Sequence, residues 1–186
     1  MLLNKILLFV AAIAAINVLF FFGSPEPLSC SISTADPANL FFFQFSHFDM
    51  LHLMENLLGL MFTAALAIEL DMKADDFILA YFVGIFAALP LLLVFPGAAI
   101  AGNSTGIFGA LAASLFKARK MVSLYVTYPL AVVFIFSISL TALASGSFVL
   151  SALKADLFHF AGFLAGAAIS IKMRGNKIIS GVCGAR

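Results

Sequence analysis

Long apolar runs, separated by short polar or charged segments, dominate this sequence. The predicted membrane spans cover residues 2–22, 48–68, 77–95, 104–116, 121–144 and 157–171. A helix needs about 20 apolar residues to cross a bilayer core of about 30 Å. Because 63% of the 186 residues are hydrophobic and only 10% are charged, the chain has too few polar residues for a soluble domain. We therefore expect one all-α integral membrane domain over residues 1–186, a six-helix transmembrane bundle with a short fourth helix.

The first apolar run is interpreted as an uncleaved span rather than a signal peptide. It is too long for a signal core, and the residues after it, Gly23-Ser24-Pro25, contain no small-x-small cleavage site. Cys30 and Cys183 are expected on opposite sides of the membrane, so no disulfide within the chain is predicted.

Basic residues lie almost entirely on one side of the predicted bilayer, and only Lys154 falls on the other. The remaining ones are Lys5, Lys73, Lys117, Arg119, Lys120, Lys172, Arg174, Lys177 and Arg186. Cytoplasmic loops carry the excess of lysine and arginine. Both termini of this multi-pass protein are therefore predicted to be cytoplasmic. The membrane is expected to be that of a prokaryotic cell.

Three polar side chains are predicted to lie at one depth in the membrane. Asn56, Ser104 and His159 each precede a charged residue at a predicted cytoplasmic boundary, Glu69, Lys117 and Lys172 respectively, by 13 positions. At 1.5 Å per residue, all three lie roughly 20 Å above that boundary. Polar groups so deep are costly unless they partner one another or line a wet cavity, so they are functional candidates.

A serine and a histidine at one level suggest a nucleophile with its general base, because a serine hydroxyl alone is a weak nucleophile. The reaction also needs donors where the oxyanion develops. The backbone N–H of Ser104, at a helix N-terminus, could be one. The side chains of His52 and Asn56, four residues apart on one helix face, could supply others.

These residues resemble three motifs of the rhomboid intramembrane serine proteases. The His-x4-His-x3-Asn motif of the second helix matches His47, His52 and Asn56. The Gly-x-Ser motif that opens the fourth helix matches Gly102 and Ser104, and the His-x-x-Gly-x-x-x-Gly motif of the sixth helix matches His159, Gly162 and Gly166. The resemblance covers residues 41–171, with the motifs in the family's order.

The resemblance implies an intramembrane serine endopeptidase of minimal six-helix form, with Ser104 as nucleophile and His159 as base. It implies that His52, Asn56 and Gly102 support the oxyanion, and that His47 is mainly structural. Phe108, where relatives often carry a tyrosine, would pack against the base. The implied partners are transmembrane protein substrates within a lipid bilayer; no metal, cofactor or nucleic acid is expected.

The sequence departs from the family pattern at two places, and the first of them keeps an alternative open. Thr105 stands where the family has glycine, and the Trp-Arg pair of the first loop is missing, since the chain contains no tryptophan. The alternative is a catalytically inactive relative that binds transmembrane helices without cutting them. A transporter with a histidine proton relay is a third possibility, which no paired half-helices support.

Several residues also have simpler interpretations. Ser104 would be a favoured helix N-cap, and Asn103-Ser104-Thr105 matches a glycosylation sequon, although a submerged one. Asp156 is predicted as a first-turn acid favoured by the helix dipole, with orientation of His159 as its alternative role. Asp49 and Glu55 have no assigned role. Small residues on two helices predict a close helix contact: Gly106, Gly109, Ala110 and Ala113 on the fourth span, and Gly162 and Gly166 on the sixth.

Overall fold

The computed structural model describes residues 5–23, 31, 37–119, 121, 123–146 and 150–183, with only the backbone for residues 124, 126–128, 130 and 173–183. Cys30 lies outside the described residues. The helices are α1 (Lys5–Gly23), α2 (Pro37–Phe42), a 3-10 turn (Phe43–Phe45), α3 (Met50–Glu69), α4 (Ala74–Ala87), α5 (Leu91–Val94), α6 (Ser104–Ala118), α7 (Leu124–Ile135), α8 (Ser137–Ala144) and α9 (Leu150–Cys183). No strand occurs in this described part, as expected for an all-α protein.

Helix α6 is the centre of the bundle and packs against α3, α4 and α9. Most of its residues are buried, and many of them are Gly, Ala or Ser. Small side chains let helix backbones approach closely, which suits a membrane interior where no hydrophobic effect drives helices together. The composition of α6 therefore accounts for its central position.

Large apolar side chains cover much of the outer surface. Leu19, Phe22, Leu51, Leu58 and Met61 are all more than half exposed. Extensive exposure of large apolar side chains is unusual for a soluble monomer. The protein is therefore an integral membrane protein whose outer surface is suited to contact lipid.

Among the residues that the structure describes, four helical segments meet the length and hydropathy of a membrane span: Lys5–Gly23, Met50–Glu69, Ala74–Val94 and Leu150–Lys172. Helix α6 has only 15 residues, and the predicted fifth span is split into α7 and α8. Helices α6, α7 and α8 are each too short to qualify by length alone. The count of six spans stays a prediction.

Several predicted boundaries need correction. Residues 37–45, expected as part of a loop, form α2 and the 3-10 turn. Helix α4 begins at Ala74 rather than at residue 77, since Asp75 and Asp76 occupy its first turn, where acids favour the helix dipole. The kink predicted at Pro90 is found as an interruption of the helix, because α4 ends at Ala87 and α5 begins directly after Pro90.

The fifth predicted span breaks at Phe136, and Pro129 lies inside α7. In an uninterrupted helix the N–H of Ser139 would donate to the carbonyl of Ile135. It donates instead to Asp156 Oδ2, at 2.8 Å. A side chain that enters the backbone ladder is a recognised cause of helix breaks, which accounts for the break at Phe136. Helix α7 continues through Pro129, and the bend expected at that residue stays a prediction.

Helix α9 begins at Leu150 and continues to Cys183, beyond the predicted span 157–171. The interpretation of Asp156 as a first-turn acid is therefore wrong, because this residue lies in the second turn of α9 and is completely buried. Its acceptance of the Ser139 N–H makes an acidic residue tolerable within the helix bundle.

Candidate active site

Ser104 and His159 are brought together where the start of α6 packs against α9. Ser104 is the first residue of α6, and His159 lies in the third turn of α9. The Oγ atom of Ser104 is 3.0 Å from Nε2 of His159, within hydrogen-bond distance. The imidazole is 12% exposed. This geometry lets the hydroxyl donate to Nε2 when the imidazole proton is on Nδ1.

Phe108 packs against one face of the His159 imidazole. It follows Ser104 by four residues, so both side chains lie on the same side of α6. Its ring stacks on the His159 imidazole with a centroid separation of 4.6 Å and an interplanar angle of 24°. The imidazole is thereby restrained between a ring and a hydroxyl that belong to one helix.

Close packing of α6 on α9 permits the contact between Ser104 and His159. A Cβ atom added to Gly162 would overlap the carbonyl oxygen of Thr105, and one added to Gly166 would overlap that of Gly109. On the opposite side of α6, a Cβ at Gly84 of α4 would lie 2.7 Å from the same Thr105 oxygen. The predicted small-residue contact between the fourth and sixth spans is confirmed.

Gly102 forms a tight turn beside two of the predicted oxyanion residues. Its φ of +88° is in the left-handed region that favours glycine. A Cβ on it would lie 3.1 Å from Nε2 of His52 and 3.3 Å from Nδ2 of Asn56. The Gly102 N–H donates to the carbonyl of Phe43 at 2.8 Å. Gly102 thus brings the backbone before Ser104 against both side chains.

His52 and Asn56 lie on α3, whose start is fixed by Asp49. The Asp49 carboxylate accepts the N–H of His52 at 2.8 Å and caps the helix, which gives this residue the role that the sequence left open. Asn56 is buried, and its Nδ2 donates to the His52 carbonyl at 2.9 Å, leaving a second N–H on that amide. Glu55 is exposed on the same helix.

His47 precedes α3 rather than belonging to it, which corrects its placement on the second helix. It is buried, and its ring lies edge-on to that of His52, 5.1 Å between centroids. Burial, and secondarily the positive charge of a protonated His52, lower the pKa of His47 to about 4. His47 therefore packs as a neutral ring that supports His52.

Sequence reasoning missed one buried pair behind the turn. Asn103 is completely buried, and its Nδ2 donates to the hydroxyl of Tyr81 on α4 at 3.0 Å. This burial leaves the Asn103 sequon inaccessible to a glycosylating enzyme. A tyrosine inside an apolar span needs a partner for its hydroxyl, and that need was the available signal. The pair anchors the residue immediately before Ser104.

Thr105, the departure from the family pattern, is buried where α6 contacts α4 and α9. Its Oγ1 has no hydrogen-bond partner among the residues that the structure describes. In the same part of the chain, no three His, Cys, Asp or Glu side chains are grouped to hold a metal ion.

Comparison with known proteins agrees with this architecture. The sequence matches the Rhomboid domain family over residues 34–176, which is most of the chain and includes Ser104, His159 and the α3 residues. No curated protein and no solved structure matches the chain. On the extent of the family match, the chain is a member of the rhomboid family.

Proposed function

We propose that this rhomboid protein is an intramembrane serine endopeptidase that hydrolyses peptide bonds in or near transmembrane segments of membrane proteins. The observation that carries the proposal is the 3.0 Å separation of Ser104 Oγ and His159 Nε2. A serine nucleophile and its base require this contact. The proposal includes cytoplasmic termini and an active site toward the outer side of a prokaryotic cell membrane.

In the proposed reaction, His159 Nε2 takes the hydroxyl proton as Ser104 Oγ attacks the scissile carbonyl carbon. The tetrahedral intermediate collapses, the leaving amine receives that proton from the imidazolium, and an acyl ester remains on Ser104. Water then attacks the ester, again with His159 as base, and releases the new carboxylate. Phe108 keeps the imidazole in line through both steps.

The oxyanion would face donors from two elements. The backbone N–H of Ser104 is at the N-terminus of α6, where the first N–H groups have no intrahelical acceptor. The second N–H of Asn56 and the ring of His52 lie against Gly102, two residues before the nucleophile. Donors that are fixed before the reaction stabilise developing charge most effectively.

The test is cleavage of a single-span reporter protein by the full chain, purified and reconstituted in liposomes. Ser104→Ala and His159→Ala should each lower the cleavage rate by about 10³-fold or more, because the two residues act as a unit. Ser114→Ala is the matched control, since Ser114 is a buried serine on the same helix whose Oγ donates to the Ala110 carbonyl. Full activity in either site variant would refute the assignment.

The second candidate is an inactive relative that binds transmembrane helices. Buried Thr105, next to the nucleophile, favours it by adding a β-branched side chain where the family has glycine. Labelling with a serine-directed fluorophosphonate separates the two functions. An active protease is labelled in a Ser104-dependent way, whereas the inactive relative retains helix binding and is not labelled.

A further inference from the structure

Asp156 is an acidic side chain with no exposed surface inside the helix bundle. A buried carboxyl group is costly unless hydrogen bonds compensate it. One oxygen, Oδ2, accepts the N–H of Ser139 on α8. The other, Oδ1, has no hydrogen-bond partner among the described residues. The hydrogen bond to α8 therefore involves only one of the two carboxylate oxygens of Asp156.

The unpartnered oxygen faces the catalytic base of the proposed reaction. Asp156 Oδ1 lies 3.8 Å from Nδ1 of His159, three residues further along α9. Within the described parts of the chain, Nδ1 also lacks a hydrogen-bond partner. Since Nε2 faces Ser104, the imidazole lies between two oxygen atoms, Oγ of Ser104 and Oδ1 of Asp156. Two orphaned buried atoms facing each other indicate a contact with a role.

We propose that Asp156 is a positioning residue that keeps the His159 proton on Nδ1, so that Nε2 is free to accept the proton of Ser104. This inference rests on the proposed protease function. The hydrogen bond made by one imidazole nitrogen decides which nitrogen carries the proton. At 3.8 Å the contact is longer than a hydrogen bond, and such bonds commonly tighten only when substrate binds.

Asp156→Asn separates this role from the tie to α8. The amide can hydrogen-bond at both positions in only one orientation, with its oxygen toward the Ser139 N–H and its NH2 group toward Nδ1. The imidazole proton then moves to Nε2, which can no longer accept from Ser104. Asp156→Ala removes both contacts. Ser139→Ala is the matched control, because the backbone N–H that Asp156 binds remains.

The experiment measures kcat and KM for reporter cleavage, fluorophosphonate labelling rate and thermal unfolding of the full chain. Asp156→Asn should lower kcat and labelling rate by at least about 10²-fold, the direction known for a wrong histidine tautomer, with KM and Tm near wild type. Asp156→Ala should lower kcat and Tm, and Ser139→Ala neither. If Asp156→Asn keeps kcat within about threefold and only Asp156→Ala loses Tm, the residue merely holds α8 and the proposal is overturned.

Imidazole nitrogen shifts give a readout that needs no protease activity. The chain has three histidines, so ¹⁵N-histidine labelling yields few signals, and His159→Ala identifies the one of interest. We expect the Nδ1–H tautomer in the wild type and the Nε2–H tautomer in Asp156→Asn. The same tautomer in both would overturn the proposal. If the tautomer differs in this way between wild type and Asp156→Asn, but the wild type neither cleaves the reporter nor is labelled, the protease function alone is refuted.

Discussion

Gly162→Ala tests whether the packing of α6 on α9 sets the distance between Ser104 and His159. The added Cβ would overlap the Thr105 carbonyl oxygen and lie 3.0 Å from the Thr105 carbonyl carbon. Ordinary non-bonded contact needs the two helices to separate by about 1 Å at this point. Because Thr105 follows the nucleophile and Gly162 lies one turn after the base, that movement falls directly on the reacting pair.

The separation would stretch the Ser104–His159 contact from 3.0 Å to beyond hydrogen-bond range. We expect kcat and fluorophosphonate labelling rate to fall by about 10²-fold, the effect of a 1 Å misplacement. Overpacking should also cost roughly 1–3 kcal/mol of stability. Reporter cleavage, labelling and thermal unfolding in the same detergent measure all three effects.

Gly59→Ala is the control for this variant. Its Cβ would lie 3.6 Å from Ile107 Cγ2, an ordinary contact, in the middle of α3. This change should leave activity unaltered and raise helix stability by up to about 1 kcal/mol. Wild-type rates in folded Gly162→Ala would show that the two helices are not held at contact distance, and would refute the packing argument.

Two further predictions concern the support behind the site. Tyr81→Phe leaves the buried Nδ2 of Asn103 without an acceptor and should cost about 1–3 kcal/mol of stability. The control is Tyr125→Phe, because Tyr125 is 92% exposed. Equal Tm values for the two variants would contradict the prediction. His47, with its pKa lowered from 6.5 to about 4, binds a proton in the unfolded chain but not in the folded one between those values. Acidification through this window therefore removes stability. Lowering the pH from 7 to 4.5 should lower the Tm of the wild type more than that of the non-titrating variant His47→Asn. A Tm difference that stays constant over this range would refute the prediction.

The general architecture follows from local features of the sequence. Ser104 starts α6 because Gly102 makes a left-handed turn just before it. The small residues of that helix predict its close contact with α9. Counting residues from the charged boundaries put Ser104 and His159 at one depth, and the two are within hydrogen-bond distance. Each inference depends on short-range pattern and helix geometry, which a single sequence contains.

Features that depend on a distant partner were not predicted. The break at Phe136 follows from a bond to Asp156, and Asn103 is anchored by Tyr81, 22 residues away. The residues around one member of such a pair do not indicate which distant residue is its partner. The start of α3 at Met50, which leaves His47 outside the helix, depends instead on a cap that the sequence does contain at Asp49.

Asp156 shows why a charge is an unsafe marker of a span boundary. The last span was predicted to begin at residue 157, directly after this residue. An acid inside a bilayer is costly. That cost is reduced where the acid accepts a backbone N–H, and the interrupted helix ladder at Ser139 supplies one. The same bond joins α8 to the helix that carries His159. The break in the fifth span and the environment of the base therefore both depend on Asp156, so replacing Asp156 by alanine should disturb both, whereas asparagine should disturb only the base.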